Sequence, residues 1–440
     1  MTFTIRASRN ADSERAKGPS PNRALVLIIA SLAVVALGLS RFALARPEAD
    51  QPPTAPPTTV DLVASFETQV ASDPGNLSAW QQLGTAYLQA ATETGNPSFY
   101  SRAATAFDEA TALDPGNLNT VTGNALLALA RHDFELASET ATELISDDPF
   151  SSQGLLILVD AEIELGKYDQ AAIHLQQLLD LKPALPALSR TSYLRELHGD
   201  LAGAEQAMIQ ALTAGSRSRF DLAVTTTLLG DLYLKGGQLE RADERYLEAQ
   251  DLAPDLVTAG IGRARVAIAG GHLDFAADLL EKVVQRFPEP GALTLLGEVQ
   301  MARGLPEDAG EAFETVEVIA ELQREAGAVV DLELARFMAD HGQPGQALVL
   351  ARTAYETRPT VFAAQVLAWS LHRSGDSASA LPYAIEALRF GTADASLLLQ
   401  TAEIAVTNGD LRLAEVLRSR ASVFDPWFSP LHPELDGMLD

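Results

Sequence analysis

Residues 223–256 read AVTTTLLGDLYLKGGQLERADERYLEAQDLAPDL. This stretch carries Thr226-x2-Leu229-Gly230-x2-Tyr233, then Gly237, then Ala242-x3-Tyr246-x2-Ala249, then Pro254. Apolar and small residues recur three and four apart on either side of Gly237, the spacing of two amphipathic helices. A glycine tolerates positive φ and stops the first helix. The proline lacks an N–H and ends the second. The passage therefore predicts one helical hairpin. Pro115, Pro149, Pro183, Pro254, Pro288, Pro359 and Pro426 follow one another at 34, 34, 71, 34, 71 and 67 residues, one or two periods each time. A fixed period near 34 predicts an all-α stack of such hairpins.

The small residues say how the helices nest. Gly84, Gly230 and Gly297 are expected where the two helices approach most closely. Ala103, Ala137, Ala171, Ala204, Ala242, Ala276, Ala309, Ala347, Ala380 and Ala414 stand at the matching point of the second helix, and Phe107, Leu175, Tyr246, Leu280 and Phe313 lie one turn on, on the same face. Gly166, Gly199, Gly237, Gly271, Gly304, Gly342, Gly375 and Gly409 mark the turns. Units are predicted to begin near Leu77, Leu118, Ser152, Leu185, Ala223, Val257, Gly291, Ala328, Val361 and Ala395. The first unit is about seven residues longer than the rest, and Gly95-Asn96-Pro97 points to a longer turn there. In unit seven the second helix is expected to run on through Ile319-Ala320-Glu321-Leu322.

The unit Trp80-x2-Leu83-Gly84-x2-Tyr87, Ala103-x3-Phe107, Pro115 resembles the tetratricopeptide repeat, as does the unit around Gly230. The resemblance covers ten units over about four-fifths of the chain. It implies a right-handed α-solenoid that binds a peptide or partner protein and catalyses nothing, its first helices lining an open concave groove. Repeat positions that face such a groove fall on Leu126, Asp160, Tyr193, Asp231, Arg265, Glu298, Arg336, Trp369 and His372. Trp369 with His372 is an aromatic contact for a peptide, or Trp369 packs into the core of unit nine. Arg265 and Arg336 hold a carboxylate, or pair with neighbouring acids. The carboxylate clamp by which some such proteins grip a chaperone tail is not matched, because Gln81, Thr85, Gly123 and Gln153 stand near its places.

Net charge is −27 and unevenly spread. Residues 1–49 hold seven Lys/Arg against three Asp/Glu, and the rest hold 25 against 56. So acidic a body repels phosphate backbones, which argues against nucleic acid as a ligand. It suits a basic partner, or simply keeps a long stack soluble. With no cysteine in the chain, disulfides, thiolate metal sites and a lipoprotein anchor are excluded. The seven histidines are dispersed, and no HExxH, phosphate loop or nucleophile elbow occurs. No cofactor or metal is expected.

Ala24 to Ser40 carries no charge, and Arg6, Arg9, Arg15, Lys17 and Arg23 precede it. Residues 1–23 thus read as a basic cytoplasmic leader and 24–45 as a transmembrane helix with the repeats outside the cytoplasm. Ala43-Leu44-Ala45 also offers a cleavage site, which would leave a secreted or periplasmic chain. Residues 46–60 form a proline-rich linker, 61–426 the array, beginning with a short helix that turns Leu62, Val63, Phe66 and Val70 inward, and 427–440 a C-terminal cap or tail. The expected function is a membrane-tethered scaffold. The alternatives are an accessory factor in envelope assembly or export, serving cytochrome maturation or polymer secretion, and a self-associating spacer.

Overall fold

The computed structural model describes residues 58–424 apart from 95, 97, 217 and 326–330. The leader, the predicted membrane segment, most of the linker and the C-terminal cap lie outside the described residues, within which no helix is long and apolar enough to cross a membrane. Helix α1 (Thr59–Ser72) opens the fold. Ten hairpins follow: α2 and α3 (Leu77–Thr94, Ser98–Leu113), α4 and α5 (Leu118–Ala130, Phe134–Asp147), α6 and α7 (Ser152–Glu164, Tyr168–Leu181), α8 and α9 (Leu185–Leu197, Leu201–Ala214), α10 and α11 (Arg219–Lys235, Leu239–Leu252), α12 and α13 (Val257–Ala269, Leu273–Arg286), α14 and α15 (Pro290–Ala302, Pro306–Glu325), α16 and α17 (Asp331–Asp340, Pro344–Thr357), α18 and α19 (Val361–Arg373, Ser377–Ala387), α20 and α21 (Ala395–Thr407, Leu411–Phe424). The described residues contain no strand.

The predicted punctuation is what stops these helices. Pro115, Pro149, Pro183, Pro254, Pro288 and Pro359 each stand two residues beyond the end of a second helix. All eight turn glycines take positive φ, between 69° and 93°. Nine of the ten matching alanines are wholly inaccessible and Ala414 nearly so, which lets the two rods of each hairpin nest. Two boundaries differ from expectation by four residues or more. The surplus of hairpin one is helix and not turn: α2 has 18 residues where α4 has 13, because nothing in Ala90-Ala91-Thr92-Glu93-Thr94 breaks a helix before Gly95. Helix α10 starts at Arg219, four residues before the predicted Ala223, because the Ser218 hydroxyl accepts the Asp221 N–H and caps it there. As expected, α15 runs on through residues 319–322, to 20 residues.

First helices are buried almost all round; α10 hides every residue from Ala223 to Lys235. Second helices bury a single stripe, such as Ala242, Tyr246 and Ala249 of α11. First helices therefore form the inner layer and second helices the outer.

The array is not open along its whole length. The stack returns on itself, and hairpins three and four meet the region from Arg358 to Asp394. The Tyr168 hydroxyl accepts the Val361 N–H at 3.2 Å, and Arg358 lies 3.9 Å from Glu164. Phe390 packs edge-on to Tyr168 at 5.2 Å between ring centroids and 4.7 Å from His198. The turn at Gly199 sits so close that a Cβ there would meet the Gly391 carbonyl oxygen at 2.4 Å.

Candidate binding surface on the inner helices

The inner helices carry the groove residues named from the repeat pattern, and the structure sorts them into three surroundings. Leu126 is core, packed among the apolar residues of hairpins one to three. Asp160 and Tyr193 lie near the closure. Both Asp160 oxygens accept from Arg190, Oδ1 from Nε at 2.8 Å and Oδ2 from Nη2 at 2.7 Å, and the arginine is fully inaccessible. Burial still pushes the Asp160 carboxyl up, against the pull of Arg190. Burial also lifts the Tyr193 hydroxyl well above the usual phenol range.

The third group runs across hairpins five to nine with alternating sign. Asp231 accepts from the Tyr246 hydroxyl at 2.7 Å. Burial pushes its carboxyl up to about 6, and Arg265 is the cation that most opposes the rise. Glu298 faces His341 at 3.5 Å. Arg336 is buried, which works against its charge, while Asp340, Glu298 and Asp394 favour it. Its Nη1 has no hydrogen-bond partner among the described residues. The Trp369 indole N–H donates to Asp340 at 2.7 Å, and the ring is only 4 % exposed, stacked on His372 at 5.2 Å. His372 in turn bonds Ser377 at 2.8 Å and Glu403 at 3.3 Å.

The pattern named one residue in each of hairpins two to eight and two in hairpin nine, and so missed most of their partners. Lys235, 6 % exposed, pairs with Glu196 and lies 3.8 Å from Asp394. Three hairpins meet at that one ammonium. A lysine ending the run Leu228–Leu234, in which Asp231 is the one other charge, was a visible signal, but its partner 159 residues on was not. Arg190, fully buried in α8, was missed as well, because its burial is set by the helices around it. Chemically, the surface offers donors and acceptors for a polypeptide, and at His372 an imidazole set between the Ser377 hydroxyl and the Glu403 carboxylate. Among the described residues no three His, Asp or Glu side chains are grouped to hold a metal.

The chain contains tetratricopeptide repeats. That family matches residues 122–186 and 261–321, and a second description of the same repeat matches 227–256. These segments span hairpins two and three and hairpins five to seven. A curated relative is the formate-dependent nitrite reductase complex bifunctional subunit NrfFG of Haemophilus influenzae, 28% identical over 141 residues, 31% of this chain and 34% of that protein. The chain thus matches about a third of that relative's length. Among solved structures, PilW, a type IV pilus biogenesis factor, aligns with a TM-score of 0.40 and 20% identity over 47% of this chain and 92% of its own. The human IFIT1 dimer with PPP-AAAA aligns with a TM-score of 0.46 and 14% identity over 89% and 93%.

Proposed function

We propose that this chain is a non-catalytic scaffold, tethered at the cell membrane by residues 24–45 with its repeats outside the cytoplasm, which binds a peptide or partner protein along its inner helices. The observation that carries this reading is the charged row on the inner helices of hairpins five to nine, in which the Nη1 of buried Arg336 has no hydrogen-bond partner among the described residues. Polar residues that depart from the local rules of a fold are expected where recognition needs them. Arg265 and Arg336 would hold acceptors of the bound segment, and Trp369 with His372 would supply its aromatic contact.

The accessory reading is favoured by one specific likeness, that to a subunit of a nitrite reductase complex. It assigns the scaffold to the maturation of an envelope redox enzyme, with a protein of that assembly as partner.

The test is affinity capture with the full chain from solubilised membranes, compared with an Arg265→Gln, Arg336→Gln variant. A partner retained by the parent and lost by the variant, with helical content unchanged, supports binding at the inner helices. Equal capture by both removes it. A redox-enzyme subunit among the captured proteins supports the accessory reading, whereas a mass that rises with concentration and no heterologous partner supports a self-associating spacer. N-terminal sequencing of the mature chain tests the anchor.

A further inference from the structure

We propose that the seam where hairpins three to five meet the region from Arg358 to Ser396 is a latch, which opens and closes as a unit while every hairpin stays folded. In a repeat stack each hairpin's core is shared with its chain neighbours. The alanines and bulky residues that nest α6 on α7, such as Ala171 and Leu175, lie within one hairpin. Parting the seam leaves those contacts in place.

What crosses the seam is one small apolar contact with a set of turn tips and side-chain ends around it. Val361, Phe362 and Phe390 pack against the core of hairpins three and four, and beside them stand the Val361–Tyr168 hydrogen bond, the Arg358–Glu164 pair, the contact of Phe390 with His198, and Lys235 reaching Asp394. One polar atom at the seam is poorly satisfied: Asp394 Oδ2 has the Lys235 ammonium at 3.8 Å and no hydrogen bond among the described residues. Water would bond it on opening, so closed and open forms lie closer in free energy than a well-satisfied interface would allow. Mixed, imperfectly paired contacts of this kind characterise interfaces that part.

Lys235 reports the state of the latch. Of the four described lysines it is the one that is buried, whereas Lys167, Lys182 and Lys282 are exposed. The experiment acylates the full chain with the N-hydroxysuccinimide ester of acetate and follows each lysine by mass spectrometry. In a Phe390→Ala, Arg358→Ala variant Lys235 is expected to react at least tenfold faster than in the parent, with the three reference lysines and the helical signal unchanged. Because the chain has no cysteine, a Glu164→Cys, Arg358→Cys pair can be bridged by a short bis-maleimide without side reactions. Bridging should slow Lys235 several-fold relative to the same protein before bridging. An equal rate before and after bridging means that Lys235 is reached by local unfolding of hairpin five, and overturns the latch. A pair that does not bridge overturns the seam itself.

Discussion

Hairpins one and five contain the same wedge and use it differently. In hairpin one the Phe107 ring sits between Gly84 and Gly123, where an added Cβ would lie 2.5 and 2.3 Å from Cε1. In hairpin five Tyr246 sits between Gly230 and Gly262, at 2.7 and 2.4 Å. Each aromatic ring thus locks its own hairpin to the next, and only glycine leaves room for it. Tyr246, however, carries a hydroxyl that supports the buried Asp231, while the equivalent place in hairpin one holds Thr85, whose hydroxyl is spent on the Gln81 carbonyl of its own helix. Hairpin one packs on α1 and hairpin two at the start of the stack; hairpin five lies within the stack and holds the seam lysine. One packing device serves end-of-stack stability in the first case and a charged interior in the second.

The comparison breaks most visibly if both rings are removed. Phe107→Ala and Tyr246→Ala should each cost about 4 kcal/mol, the range for a large aromatic truncated in a core. Stacks melt by nearest-neighbour coupling. Phe107→Ala should therefore detach hairpin one as a separate early transition, while Tyr246→Ala lowers the main one. Hydrogen exchange resolved by hairpin reads the difference. A single shared transition for both variants would show that hairpin one is no looser than hairpin five.

Asp231 sharpens the contrast through pH. Its carboxyl titrates at about 6 in the fold, against roughly 4 in an unfolded chain. Between those values the folded chain keeps a proton that the unfolded chain gives up. Stability therefore falls as pH rises through this window, by about 3 kcal/mol from this group, and stays lowered above it. Asp231→Asn should abolish that share, visible as a flatter pH dependence of denaturant midpoints between pH 4 and 7. Asp160, Glu162 and Glu289 are raised in the same sense, so a residual slope is expected. An unchanged slope would mean that Asp231 is solvated.

Tyr246→Phe converts hairpin five toward hairpin one. The ring stays and the donor to Asp231 goes, which should cost about 1 to 2 kcal/mol and raise the Asp231 carboxyl further. A carboxylate-resolved NMR titration reads that shift. No change in either quantity would mean that the hydroxyl does not hold Asp231.

The hairpins were legible because each is written locally. Proline, turn glycine and nesting alanine sit within one period, and seven of the ten first helices begin at the residue the pattern names. The closure was not legible. Its contacts join Tyr168 to Val361 and Lys235 to Asp394, and they arise from curvature accumulated over several hairpins, each adding an amount that no single unit encodes. The inner row was half legible in the same way. Position within the repeat picked out Asp231, Arg336 and Trp369, but their surroundings depend on neighbouring hairpins, and the partners Asp340 and Arg190 went unnamed.

The turns allow the finest test of the seam. Gly199 and Gly271 occupy equivalent turns, with φ of 74° and 75°. Around Gly271 an added Cβ meets nothing within 4 Å, whereas at Gly199 it meets the Gly391 carbonyl. Gly271→Ala should therefore cost only the left-handed strain, about 1 kcal/mol, and Gly199→Ala should cost that plus the opening of the seam. Hairpin two supplies the reverse experiment, since His132 adopts φ 63° where hairpins three to ten have glycine. His132→Gly relieves similar strain but gives up the stacking of His132 on Phe134 at 5.4 Å and gains chain entropy in the unfolded state. The net gain should be below 1 kcal/mol. A Gly199→Ala cost equal to that of Gly271→Ala in paired denaturant melts would show that the seam adds nothing at this turn.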